Sequence, residues 1–190
     1  DVTGLEETLV HTLKEKGLTI ATAESCTGGM IAQRLTNVSG ASEVFGFGFV
    51  TYWEQAKAKM VGVEPAVIAK YNVVSAPVAA PASSTTHLSF GRLGSWMAAA
   101  EAAGADIAVS VTGLAGPNGG DAVRPVGTVY LGAACGETVY VKKLFVSRPD
   151  RALVRARAAQ TALELALRLA QGKVPADTQA LAKSSRHDTA

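Results

Sequence analysis

The stretch TIATAESCTGGMIAQRL, residues 19–35, decides how the chain around it must fold. Its first half is apolar and β-branched, its middle is Glu24-Ser25-Cys26-Thr27-Gly28-Gly29, and its second half spaces Met30, Ile31 and Leu35 as a helix does. A short buried strand therefore hands over to a helix across a glycine turn. Ser25 at that junction has two uses. It can present its hydroxyl to a substrate while helix N–H groups stabilise an oxyanion, with Gly28 and Gly29 allowing close approach. Alternatively, Ser25 or Thr27 caps the helix, which is the commoner use of such a start, and the nucleophile-elbow pattern GxSxG is absent. Cys26 is a rival nucleophile, but no histidine is near it in sequence, so a small buried apolar residue is its simpler reading.

Working outward, LEETLVHTLKEKG places Leu5, Leu9 and Leu13 on one face of an amphipathic helix that Gly17 ends. EVFGFGFVTY alternates Phe45, Phe47 and Phe49 with glycines, which suits a strand against closely approaching backbone. EQAKAKMVG, residues 54–62, reads as a helix. DIAVSVTG is a β-rich run that ends in the glycine loop 113–127, and TVYLGAAC and TVYVKKLFV flank Gly136-Glu137 as a hairpin. A long helix runs from Arg148 to Gly172, with Pro149 in its first turn and Leu153, Ala156, Leu163, Leu167 and Ala170 along it. This alternation predicts a three-layer α/β/α sandwich on a mixed, mainly parallel sheet with one antiparallel hairpin.

The predicted domain is residues 1–172, followed by a polar tail at 173–190 that frays. Residues 76–96, APVAAPASSTTHLSFGRLGSW, resist the scheme. Their prolines, glycines and Ser/Thr run read as an irregular insertion, docked through Leu88, Phe90, Leu93 and Trp96 onto the core or onto a second subunit of a homo-oligomer.

A chain of 190 residues is one domain, able to bury roughly 70% of the surface it exposes when unfolded. The net charge is +2 and the basic residues are scattered, so no stripe tracks a nucleic-acid backbone. The two cysteines, Cys26 and Cys135, lack metal-ligand or CxxC spacing. No apolar run reaches the roughly 18 residues of a membrane span. The start is helical rather than leader-like, so a reducing cytoplasm is the expected compartment.

A serine nucleophile needs a base, and His11, His87 and His187 are all poorly placed for that role. Lysine is the alternative, since desolvation lowers its pKa and frees a neutral amine. Lys57 lies on the predicted helix just after Tyr52. A solvated helix face is its ordinary reading. The loop TGLAGPNGG, residues 112–120, can cradle an anion with backbone N–H groups or simply turn the chain. It is neither a Walker loop nor a dinucleotide fingerprint. Arg148, Arg151 and Arg155 share a helical face that can clamp an anion or face solvent.

Taken in order, AESCTGG, GGMIAQRLTNVSGAS, FGFGFVTYWEQAKAKMVGV, ADIAVSVTGLAGPNGG, RPVGTVYLG and RALVRARAAQTAL resemble the CinA C-terminal-domain family, across most of residues 5–170. That family includes nicotinamide-nucleotide amidases. The resemblance implies hydrolysis of the carboxamide of nicotinamide mononucleotide (NMN) to nicotinic acid mononucleotide and ammonia, with no metal or cofactor. It implies Ser25 as nucleophile, Lys57 as base and Tyr52 as its helper. Thr112 and Arg155 are the implied substrate-binding residues, and the reading of the turn and loop adds Gly28, Gly29 and Gly113 as substrate-binding candidates.

The family's fold is likewise a three-layer sandwich. Members often carry a further N-terminal pyrophosphatase domain, and its absence from this sequence predicts a stand-alone amidase. The dozen or so extra residues around 76–96 depart from the family pattern. The alternative to an enzyme is a non-catalytic nucleotide-binding module in which Ser25 caps a helix and the glycine loop holds a phosphate. Retention of both Ser25 and Lys57 favours the enzyme.

Overall fold

The computed structural model describes residues 4–61, 65–79, 104–136 and 138–182. A six-stranded sheet, ordered β2-β1-β3-β4-β5-β6, forms its middle layer. The strands are β1 (Ile20–Glu24), β2 (Phe45–Val50), β3 (Ile107–Gly113), β4 (Thr128–Cys135), β5 (Thr138–Phe145) and β6 (Gln179–Ala182). Among the described residues, the helices are α1 (Leu5–Lys16), α2 (Met30–Thr36), α3 (Glu54–Val61), α4 (Pro65–Tyr71), α5 (Ala76–Ala79) and α6 (Arg151–Ala170), with a 3-10 turn at Ala41–Glu43.

Strand β1 pairs in parallel with β2 and β3, whereas β3–β4, β4–β5 and β5–β6 are antiparallel. The sheet is mixed as expected, but antiparallel pairing reaches well beyond one hairpin. Part of the excess comes from β6, which the sequence reading placed in a fraying tail. Gln179–Ala182 instead pair with Thr138–Val141 of β5. A polar, proline-containing approach conceals a strand whose stability comes from its neighbour's free edge rather than from its own side chains.

The two sheet faces carry different cores. On one, Ile20, Val109, Val111, Val129 and Leu131 pack with Leu9 and Leu13 of α1, Ile31 and Leu35 of α2, and Val154, Ala158, Ala162, Leu165 and Leu169 of α6. On the other, Ala21, Ala108, Ala134, Val139 and Val141 meet Ala76, while Ala23 meets Val78. Leu163 and Ala170 of α6 are buried as expected, but at its start Leu153 is 42% exposed and Val154 is fully buried instead. Asp150 explains where α6 starts. Its carboxylate accepts from the Ala152 and Leu153 amides at 2.9 and 3.1 Å, which leaves Pro149 outside the first turn.

Strand β2 also corrects its reading. The register slips between Ile20↔Phe45 and Ala21↔Phe47, making Gly46 the extra residue of a bulge. The alternating phenylalanines therefore do not share a face: Phe45 packs on the α1/α6 core and Phe49 beside Ala23 and Val78. No backbone crowds Gly46, and a Cβ on Gly48 would meet the side chains of Phe45 and Thr22. The expected insertion at 76–96 opens on helix α5 rather than on irregular chain. Residues 80–103, where most of that expectation falls, lie outside the described residues.

Candidate active site

Ser25 follows the last residue of β1, and Thr112 and Gly113 end β3, so the carboxyl ends of two neighbouring parallel strands open into one place. The chain leaves β1 through α2 on one face, and α5 lies against the other. Such a reversal leaves a crevice beyond the strand ends, the usual ligand site of open α/β sheets. A cleft of about 200 Å³ lies there, lined among others by Ser25, Tyr52, Lys57, Thr112, Gly113 and Arg151.

Lys57 is the informative residue. It is 1% exposed, against the solvated helix face that its pattern suggested. Its Nζ lies 2.7 Å from the Thr51 carbonyl oxygen, 3.3 Å from that of Tyr52 and 3.1 Å from Ser25 Oγ. Burial pushes the Lys57 pKa down from the usual lysine value, with Glu54 at the cleft wall pulling the other way. Both carbonyls only accept, so a neutral amine spends its two N–H bonds on them and turns its lone pair toward Ser25. Ser25 Oγ–H can then donate to Nζ. That is the arrangement a lysine base needs to activate a serine.

Tyr52 contributes to holding Lys57 through its backbone carbonyl. Its phenol oxygen instead accepts from Arg151 Nη2 at 2.7 Å, and Arg151 Nη1 donates to the Gly116 carbonyl at 2.7 Å. Arg151 thus joins the two sides of the cleft mouth. The Thr112 hydroxyl donates to the Val73 carbonyl at 2.8 Å and secures Val73 and Val74 as a cleft wall.

The other predicted binding residues are not brought to the cleft lining. Arg155 Nε and Nη2 donate to the carbonyls of Cys26 and Thr27, both at 3.0 Å. Gly28 and Gly29 adopt left-handed conformations, φ 60° and 94°, and shape the turn behind Ser25. Burial pushes the Cys26 thiol up to about 12, so it is a poor nucleophile.

Neither Ser25 nor Thr27 caps α2, and the helix N-terminus does not face the cleft with free amides. Glu24, fully buried, accepts from the amides of Gly29 and Ile31 at 3.0 Å each and of Ala32 at 2.8 Å. The Gly28 and Met30 amides bond to the Ser25 and Thr27 carbonyls. The expected oxyanion donors are therefore committed internally. Sequence reasoning passed over Glu24; the available signal was an acid before the turn in a helix start that has none of its own. Among the described residues, no cluster of His, Cys, Asp or Glu could hold a metal, and no helix is long and apolar enough to cross a membrane.

The fold and cleft define an open-sheet α/β protein with a buried serine–lysine pair at its strand ends. The chain belongs to the CinA C-terminal domain family, whose model matches residues 2–170. A CinA-like protein of Kosmotoga olearia is 42% identical over 164 residues, covering 86% of this chain and 36% of that protein. A CinA-like protein of Geobacter sp. is 45% identical over 159 residues, covering 84% and 35%. The chain thus spans little more than a third of these curated relatives.

Among solved structures, the competence/damage inducible protein CihA of Agrobacterium tumefaciens superposes with a TM-score of 0.76 at 34% identity, covering 87% of this chain and 94% of that one. A competence-damaged protein (CinA) superfamily member from Escherichia coli gives 0.74 at 31% identity, covering 90% and 92%.

Proposed function

We propose that this domain is a nicotinamide-nucleotide amidase that hydrolyses the carboxamide of NMN to the carboxylate and ammonia. The observation that carries this reading is the buried Lys57 amine 3.1 Å from Ser25 Oγ. Ser25 Oγ attacks the carboxamide carbon as its proton passes to Lys57, and the resulting lysine ammonium protonates the departing nitrogen as the C–N bond breaks. Water then attacks the acyl-serine ester, Lys57 takes its proton, and the carboxylate leaves with Ser25 restored. A nucleotide-binding module has no need of a desolvated lysine against a serine, and burying that amine costs stability unless its neutral form is used.

For the phosphate, Arg151 is favoured over Arg155, which the resemblance implied for substrate binding. Arg155 is taken up by backbone carbonyls, whereas Arg151 lines the cleft and is exposed at its mouth. Arg151 is the better cation for a nucleotide phosphate. The deciding experiment is ammonia release from NMN by the wild-type chain and by Ser25→Ala, with and without a chelator. Chelator-insensitive release that disappears in Ser25→Ala supports the reading; near-normal turnover by Ser25→Ala overturns it.

A further inference from the structure

The turn that carries Ser25 is one that would not hold its own shape. It contains two successive glycines at positive φ, and glycine gives up more backbone freedom on ordering than any other residue. Its helix has no side-chain cap of its own at Gly29. Yet catalysis by a serine and lysine needs the oxygen held to a fraction of an ångström.

Two charged side chains from other elements take hold of this turn. Glu24 is fixed by pairing on both edges of β1, and its buried carboxylate gathers the amides of Gly29, Ile31 and Ala32. Arg155, one turn into α6, sends Nε and Nη2 to the carbonyls of Cys26 and Thr27. The acid holds donors and the base holds acceptors, each through charge-assisted bonds, which are roughly twice as strong as neutral ones. A Cβ on Gly28 would already stand 3.4 Å from Arg155 Nη2, so the guanidinium packs directly on the turn. Neither residue lines the cleft.

We infer that Glu24 and Arg155 are positioning residues that brace the Ser25–Gly29 turn and keep Ser25 Oγ opposite Lys57 Nζ. This rests on the proposed role of Ser25 as nucleophile. Arg155 acts on the substrate only through the serine, so its loss reduces turnover whether or not the substrate carries a phosphate.

The test compares wild type, Glu24→Gln, Arg155→Lys and Ser25→Ala on NMN and on nicotinamide riboside, which keeps the carboxamide and lacks the phosphate. Arg155→Lys is expected to lower kcat/KM on both substrates by the same factor, on the order of 10²-fold, through kcat. A lysine cannot serve both carbonyls with a planar fork. Glu24→Gln is expected to do likewise and to speed amide exchange at Gly29, Ile31 and Ala32; should it fail to fold, Arg155→Lys decides alone.

A loss confined to NMN and expressed in KM would make Arg155 a phosphate ligand and overturn the brace. Unchanged kcat in Arg155→Lys would overturn it as well. The underlying reading fails separately: an active Ser25→Ala chain removes the nucleophile, whereas an inactive Ser25→Ala beside fully active Glu24→Gln and Arg155→Lys removes only the brace.

Discussion

Lys57 Nζ lies closer to the Thr51 carbonyl oxygen, at 2.7 Å, than to the Ser25 hydroxyl oxygen, at 3.1 Å. The amine is held by the backbone at the end of its own connecting segment, and that tether points it at a serine thirty-two residues earlier. What it can do there depends on whether it carries a proton.

Activity on NMN should therefore rise with pH along an acid limb. Burial places the Lys57 pKa below the usual 10.5, and only the neutral amine accepts the serine proton. Glu54 raises that pKa. Glu54→Gln should accordingly move the acid limb of kcat/KM to lower pH. A limb that stays in place, or moves up, would separate Glu54 from the titrating group.

Replacing Lys57 tests the same burial through stability. The folded state holds fewer protons than the unfolded state between the lowered folded pKa of Lys57 and 10.5, so wild-type stability gains with rising pH across that window. Below the folded pKa the full cost of a buried charge remains. Lys57→Met, with no charge to bury, should be more stable than wild type at low pH, and the gap should close as pH rises. Lys57→Arg should be inactive at every pH, because a guanidinium cannot be deprotonated. Denaturant melts at several pH values read the first, and ammonia release reads the second.

Arg151→Ala should raise KM for NMN about 10- to 100-fold, in the range of a lost charge-assisted contact to an anion, with a smaller effect on nicotinamide riboside. Its bonds to the Tyr52 phenol and the Gly116 carbonyl are exposed or half-buried, so folding should survive the change. Equal losses on both substrates would assign Arg151 to shaping the cleft instead of holding phosphate.

Glycines separate by what surrounds them. Gly127 has φ 96°, and an added Cβ would overlap the Val146 carbonyl oxygen and stand 3.3 Å from the Pro149 Cβ. Gly127→Ala should cost about 2–3 kcal/mol in a denaturant melt, the combined scale of a strained φ and a backbone clash. Gly46 has open space around the same position and no positive φ, so Gly46→Ala should be near neutral. A reversal of that order would misplace the β2 bulge.

Much of this architecture is legible in single segments. The α1 pattern, the β1 run and the β4–β5 hairpin each carry their own period or turn, and local chemistry suffices to read them. Gly17 at φ 63° ends α1 where its place in the sequence suggested. Strand β6 is different, since Gln179–Ala182 has no pattern to read and is ordered by the edge of β5. The same holds for Phe45 and Phe49, which a one-residue slip sends to opposite faces.

By itself, the sequence determined a serine at a strand-to-helix turn, a lysine after the next strand and a glycine loop after another, in an order that resembles one family. It left Ser25 between nucleophile and cap, and Lys57 between base and solvated surface. Only the tertiary structure removed Ser25 from the cap and Lys57 from the surface. Desolvation and hydrogen-bond competition depend on what other elements bring within reach: Glu24 reaches forward to take the cap, Arg155 crosses from α6 to take the carbonyls, and the sheet end closes over Lys57. A side chain's exposure and its partners belong to the packed fold, and no spacing along the chain records them.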